Sequence, residues 1–273
     1  EMVFKEIIDP NLLVKIALQS ERSYLRREAA KKINVQTLLI QLALESEDES
    51  LIEILTGRIA EQAVFAKIVL QNKNHLIQKK ILHKISDQYL LAEIALENKN
   101  CRIRYATVKL LTDQEVLKHI ALNDLENSVR QAAAAKITNQ TVLENIINKE
   151  DFPLFEAVIT KLTNQDLLCK IAKNNKYASF LCKKAVEQVT GQKALAKIAI
   201  ESLYDDVCIA AVDKLTNQKQ LATVAGWRAS SSVGLAAINK LTDQTLLYRV
   251  ALSSKDPVVR SKIISRLNHL KST

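Results

Sequence analysis

A five-residue phrase, Lys240-Leu-Thr-Asp-Gln244, returns along this chain at a nearly constant interval. Lys214-Leu-Thr-Asn-Gln218, Lys161-Leu-Thr-Asn-Gln165, Lys136-Ile-Thr-Asn-Gln140 and Lys84-Ile-Ser-Asp-Gln88 are close copies. Gln36, Gln62, Gln88, Gln114 and Gln140 fall 26 residues apart. The next steps are 25 to Gln165 and 27 to Gln192, then 26 twice more, to Gln218 and Gln244. Counting back 26 from Gln36 reaches Pro10, where Leu12, Leu13, Ile16 and Ala17 still fit the unit, so ten copies fill nearly all of the 273 residues. A period in this range is the mark of a stacked array and overrides the one or two globular domains that length alone suggests.

Within one unit, Val116, Leu117, Ile120 and Ala121 lie two, three, six and seven residues after Gln114, one face of a short helix A. Thr112 is placed as its N-cap, with Asp113 complementing the positive end of the helix dipole. Thr138, Thr163, Thr190, Thr216, Thr242 and Ser86 repeat that cap. After a polar turn from Asn123 to Asn127, helix B carries Val129, Ala133, Ala134 and Ile137 on one stripe and ends on Lys136. Neither helix can bury its stripe alone, but stacked pairs can.

The chain opens in the middle of a unit, with Val3, Phe4 and Ile7 at helix B positions, and on Glu1 rather than Met, as expected of a piece of a longer protein. In the second unit Gly57 is expected inside helix B, and Glu45, Glu47, Asp48 and Glu49 make the turn acidic. The two changes of interval are placed in the turns at 149–153 and 173–180, where insertions cost little. In the ninth unit Ser230, Ser231, Ser232 and Gly234 weaken the start of helix B. At the end, 266–270 is expected to begin a linker without a further helix A.

Gly and Pro are scarce, at four and three residues, and 48% of the chain is hydrophobic, which favours helix throughout and supplies a core. No apolar run approaches the roughly 20 residues of a membrane span, and no signal-peptide pattern opens the chain. Cys101, Cys169, Cys182 and Cys208 match neither a disulfide framework nor a metal motif, pointing to reduced thiols and a cytoplasmic protein. His75, His83, His119 and His269 have no ligand-like spacing, so no metal site is expected. Phosphate loops and nucleophile motifs are absent, so no cofactor, small-molecule substrate or catalytic residue is assigned. The net charge of +9 fits either a lysine-rich solvated surface or an acidic partner.

A turn Asp followed by Val-Arg, clearest at Asp256…Val259-Arg260 and echoed at Val129-Arg130 and Ile103-Arg104, resembles the signature of HEAT-type repeats. The short period and the Leu-Leu-x-x-Ile-Ala run of helix A also resemble bacterial leucine-rich variant repeats. The resemblance covers about residues 2–267. It implies an all-α, right-handed α-solenoid of about ten 26-residue two-helix HEAT-like repeats forming a single domain over 1–273. In that family an Asp–Arg pair ties adjacent repeats and the B helices line a concave surface. Arg26, Arg104, Arg130 and Arg260 would then be structural. Ile52, Gln78, Phe155, Cys182, Cys208 and Gly234 take the same column, so the tie would be missing there.

Two recurring polar columns have structural readings. The Gln column suits repeat-to-repeat or first-turn hydrogen bonds. The cation before each linker (Lys32, Arg58, Lys84, Lys136, Lys161, Lys214, Lys240, Arg266) suits the negative end of its own helix B, although it also resembles phosphate tracking. Some HEAT-like proteins are alkyl-DNA glycosylases, which draws attention to Trp227 and Arg228. Trp227 falls at the end of a helix A with no acidic partner and is read as packing.

The outward columns of the B helices are not dictated by packing and vary from repeat to repeat. From them and their neighbours come the candidate partner-binding residues Arg27, Lys31, Lys79, Lys80, His83, Tyr105, Lys109, Gln131, Lys183, Lys184, Ile209 and Leu235. The expectation is a non-enzymatic interaction scaffold holding a protein or peptide on the B-helix face. The alternative is nucleic-acid binding through basic B-helix residues, against which the sparse aromatics (4%) count only for single strands.

Overall fold

Every repeat after the first begins at the same residue type. In the structure, a computed structural model describing residues 6–149, 152–228 and 231–272, each Gln of the column opens a helix as its first residue. The residue just before it supplies the cap: Asp113 accepts the N–H groups of Glu115 and Val116, and Asp87, Asn139, Asn164, Asn217 and Asp243 act alike. This corrects the assignment of the cap to Thr112, Thr138, Thr163, Thr216, Thr242 and Ser86. A capping oxygen must sit directly before the first helical residue to reach the orphan N–H groups of the first turn. At Thr190 the following residue is Gly191, which has no side chain to cap with.

The displaced threonines have another partner. The N–H and Oγ1 of Thr112 donate to Gln88 Oε1 at 2.8 and 3.0 Å, across the repeat boundary. Thr163, Thr190, Thr216 and Thr242 repeat the arrangement with Gln140, Gln165, Gln192 and Gln218. The amide Nε2 of the same Gln donates to a carbonyl at the end of the next helix B, Lys161 O for Gln140 and Lys214 O for Gln192. The Gln column is therefore a repeat-to-repeat clamp.

All elements among the described residues are helices. The chain divides into two compact units, Glu1–Ile137 and Thr138–Thr273. The first contains five helix pairs: α1 (Pro10–Gln19) and α2 (Ser23–Lys32), α3 (Gln36–Glu45) and α4 (Glu49–Thr56), α5 (Gln62–Gln71) and α6 (His75–Leu82), α7 (Gln88–Glu97) and α8 (Cys101–Leu110), α9 (Gln114–Asn123) and α10 (Asn127–Ala134). The second contains α11 (Gln140–Asn148) and α12 (Phe152–Ile159), α13 (Gln165–Lys173) and α14 (Ser179–Gln188), α15 (Gln192–Glu201) and α16 (Asp205–Lys214), α17 (Gln218–Trp227) and α18 (Ser232–Lys240), α19 (Gln244–Ser253) and α20 (Pro257–Ser272).

In each unit consecutive pairs stack, A helices against A helices and B helices against B helices, as in a helical-repeat solenoid. Leu117, Ala121, Val129, Ala133, Ala134 and Ile137 are fully buried between the layers, and Ile120 nearly so. The alanines of this set leave room for close approach of neighbouring helices, while the branched residues fill the space between layers.

Four local expectations change. Gly57 lies just past α4 as its C-cap rather than inside it. The chain from Arg266 to Leu270 does not leave the helix: α20 runs on to Ser272, because the Thr-Asp/Asn-Gln stop is replaced there by Asn268-His269-Leu270. Pro153 belongs to the first turn of α12, where its missing N–H costs nothing. Phe180 likewise sits in α14, so the longer turn is confined to 174–178. Val3, Phe4, Glu150, Asp151 and Ser230 lie outside the described residues.

Candidate functional site

Many polar side chains at the turns hold adjacent repeats together, and those that do not make up the available surface. Arg104 donates from Nε and Nη2 to both carboxylate oxygens of Asp124, at 2.8 and 2.9 Å, and from Nη1 to the turn carbonyl of Asn98 at 3.0 Å. Arg26 makes a similar contact with one oxygen, donating from both Nε and Nη2 to Asp48 Oδ2, and from Nη1 to the Ser20 carbonyl. Arg130 donates to the Asp124 carbonyl and to Asn127. The carboxylate that each of Arg26 and Arg104 grips belongs to the turn of the following repeat, 20 to 22 residues on. Arg260 differs in that its side chain is exposed.

Two of the repeats that lack this Arg are not left bare. Gln78 Nε2 donates to Asn72 O at 2.7 Å, reproducing the turn contact without a charge. Where Cys208 stands in the column, Arg228 reaches back from the end of α17 and donates from Nη2 to Ser202 O at 2.7 Å and from Nε to Ile200 O at 3.1 Å. The tie expected to be missing at Cys208 is thus restored from a different position. Arg228 is thereby committed to backbone carbonyls. Its neighbour Trp227 does not pack: the indole is 75% exposed.

Several of the cations before the linkers are committed as well, though not to their own helix, while Lys84 is exposed. Lys240 Nζ donates to the carbonyls of Val212 and Asp213 at the end of the preceding repeat's helix B, and Lys214 does the same at Val186 and Glu187. Lys136 reaches Lys109 O, and Arg58 reaches Ala30 O and Asn34. Each cation satisfies orphan carbonyls one repeat back. Burial pushes the pKa of Lys136 and Lys161 below the usual lysine value.

The candidate residues of the B helices form separate groups. In the first unit Arg27 and Lys31 lie on α2, Lys79 and Lys80 on α6 with His83 as its C-cap, Tyr105 and Lys109 on α8, and Gln131 on α10. Between α2 and α6 stands α4, whose Glu53 takes Lys80 at 3.2 Å. Lys31 pairs with Glu28 on its own helix, and the Lys109 ammonium sits 4.5 Å over the Tyr105 ring. Arg27, Lys79 and His83 remain exposed. In the second unit Lys183 on α14 faces Asp206 at 3.6 Å, and Lys184 faces Glu156 at 3.5 Å. Ile209 on α16 and Leu235 on α18 are half-buried. Acids at neighbouring columns thus neutralise much of the basic set expected to grip phosphates.

Leu235 gains a context that the sequence did not supply. With Pro257, Val258, Ser261, Lys262 and Ser265 of α20 it lines an open groove of about 590 Å³ between α18 and α20. Val258 is 69% exposed at its rim.

No cluster of three His, Cys, Asp or Glu among the described residues is arranged to hold a metal. All four cysteines are free thiols. Burial raises the pKa of Cys182 to about 11 and also raises Cys208, where the nearby Arg228 guanidinium pulls the other way. Neither thiol is a ready nucleophile. No helix is long and apolar enough to cross a membrane among the described residues.

The candidate set, confined to the B helices, overlooks the outer face of the A helices in the second unit. Residues 138–273 hold 19 Lys and Arg against 12 Asp and Glu, or +7 of the chain's +9. That imbalance was legible as a signal. No protein-family model matches the chain, and no curated protein matches it significantly.

Proposed function

We propose that this chain is a HEAT-like, non-enzymatic scaffold whose B-helix face holds a protein or peptide segment. The groove between α18 and α20 carries the reading: Leu235, Pro257 and Val258 offer apolar side chains to its lining, while Ser261, Ser265 and Lys262 offer hydrogen-bond donors. Apolar anchors in a recess ringed by polar groups are the usual arrangement of an interaction hot spot. The cross-repeat pairs Lys80–Glu53, Lys183–Asp206 and Lys184–Glu156 support a protein partner over a polyphosphate, since a phosphate groove would be repelled at each acid. Four free thiols, two of them fully buried, suit a reducing compartment such as the cytoplasm.

A photo-crosslinking residue at Ser261, in the intact chain within its source cell, tests the reading. The expected adduct is a polypeptide, insensitive to nuclease and lost when Leu235→Glu closes the groove. Binding to nucleic acid instead would appear as a nuclease-sensitive adduct. It would also give submicromolar duplex affinity at physiological salt, falling with a log–log salt slope of about −0.9 per phosphate contact and lost on reversing Lys79 and Lys80 to Glu. That outcome would replace the proposal.

A further inference from the structure

The A helices α13, α15, α17 and α19 pack side by side in the second unit. In each, the residues one and five places after the column Gln point away from the buried stripe and are exposed. Those positions hold Lys193 and Lys197 on α15, Lys219 on α17, Arg249 on α19 and Lys170 on α13. None of these five cations has an ion-pair or hydrogen-bond partner among the described residues, in contrast to Lys80, Lys183 and Lys184 of the B helices. The nearby acids are mostly engaged: Glu201 takes Lys173 at 2.8 Å, and Asp243 caps α19. Asp166, exposed in the first turn of α13, is the exception. At helix spacings of about 8–10 Å the row extends roughly 25–30 Å. The equivalent positions in the first unit mix charges, with Lys15, Lys67, Glu93 and Glu115.

The same face exposes large apolar side chains. Tyr248 and Leu252 of α19 are 49% and 87% exposed, and Trp227 closes α17 at 75%. On a helical projection of about 100° per residue Leu252 falls about 20° to one side of Thr245 and Arg249 about 40° to the other, so apolar and cationic groups share one surface rather than opposite ones. A nucleic-acid backbone would use the cations but gain nothing from an exposed Leu. A bilayer surface uses both: lysines sit at anionic headgroups, Trp and Tyr at the interface, and Leu at the acyl boundary.

We infer that the outer A-helix face of the second unit is a peripheral docking surface for an anionic lipid bilayer, with Lys193, Lys197, Lys219 and Arg249 as headgroup contacts and Trp227 and Leu252 as shallow anchors. This face is distinct from the B-helix groove, so the two readings stand or fall separately.

The test is co-sedimentation of the intact chain with phosphatidylcholine vesicles, with and without phosphatidylserine, at low and at physiological salt, followed by Trp227 fluorescence. Binding is expected to require phosphatidylserine, to weaken with salt and to shift the Trp227 emission to the blue. Lys193→Gln with Lys197→Gln should lower the partition coefficient about 25-fold, at roughly fivefold per cation. Trp227→Ser should lower it roughly tenfold while leaving the salt dependence unchanged. All three positions are exposed, so unchanged circular dichroism and thermal unfolding would verify the fold of each variant. The inference is overturned if phosphatidylserine vesicles do not bind, or if binding ignores the two lysine substitutions. It is also overturned if duplex DNA binds more tightly than vesicles through the same lysines and is indifferent to Trp227→Ser.

Discussion

Arg104 and Asp124 join two repeats through a two-pronged contact, Nε to Oδ2 at 2.8 Å and Nη2 to Oδ1 at 2.9 Å, with side chains only 12% and 7% exposed. The remaining guanidinium nitrogen is tied to the Asn98 carbonyl of its own turn. One side chain therefore sets both the turn of its own repeat and the position of the next. Removing it should loosen a boundary rather than a helix. In a double-mutant cycle with Arg104→Met and Asp124→Asn, unfolding in urea should show a coupling of about 1–3 kcal/mol. A coupling near zero would mean that the pair is held in place by its neighbours and contributes nothing itself.

Acid should weaken the same boundaries. Burial alone would raise the Asp48 pKa, but hydrogen bonds from Ser50, Arg26 and Leu51 outweigh it and hold the carboxyl at about 2; Asp124 is lowered for similar reasons. A depressed folded-state pKa contributes stability above the unfolded value near 4, lost as pH falls toward 2. For Asp48 this is about 1–2 kcal/mol after allowing for its partial exposure. Asp48→Asn should flatten the decline in melting temperature between pH 4 and pH 2 relative to the parent chain.

The Gln clamp makes a sharper prediction. Gln192 Oε1 accepts from Thr216 N at 2.8 Å and Asn217 N at 2.9 Å, while its Nε2 donates to Lys214 O at 3.3 Å. Gln192→Leu preserves bulk and removes all of these bonds, with an expected loss of about 1–3 kcal/mol. Gln192→Glu keeps the acceptor and should recover part of that loss.

Ile120 packs between the two helix layers of the first unit with 2% exposure. Ile120→Ala should cost about 2–5 kcal/mol. Because stability in stacked repeats is coupled chiefly to nearest neighbours, amide exchange should accelerate most in α7 to α10. A uniform acceleration across Glu1–Ile137 would show instead that this unit unfolds as one block.

Thiol reactivity should separate the four cysteines. Cys182 and Cys208 are fully buried and Cys101 and Cys169 only partly so. With a disulfide reagent at neutral pH, Cys101 and Cys169 should react in the folded chain. Cys182, its pKa near 11, and Cys208 should react only on unfolding. Arg228→Met should hasten labelling of Cys208 by opening the turn that Arg228 closes.

Helix existence, pairing and core were readable because they rest on local periodicity. Leu117, Ile120 and Ala121 occupy one face of helix A at helical spacing in whatever context the segment sits, and burying that face demands a partner of the same pattern. The repeated Gln was recognisable as punctuation for the same reason. Which residue capped the helix was not, since Thr112 and Asp113 are both good caps. The choice turned on Gln88, a residue 24 positions earlier whose amide claims the threonine.

The surface chemistry was decided between repeats. Sequence alone determined an all-helical repeat with a basic balance and a variable outward column on its B helices. Only the tertiary structure decided which cations are available: Lys214 and Lys240 are drawn back onto carbonyls of the preceding repeat, and Lys80, Lys183 and Lys184 meet acids from neighbouring helices. Lys193, Lys197, Lys219 and Arg249 meet none among the described residues. Charge pairing depends on distances of 3–4 Å between residues far apart in the chain, and such distances exist only once the helices have stacked.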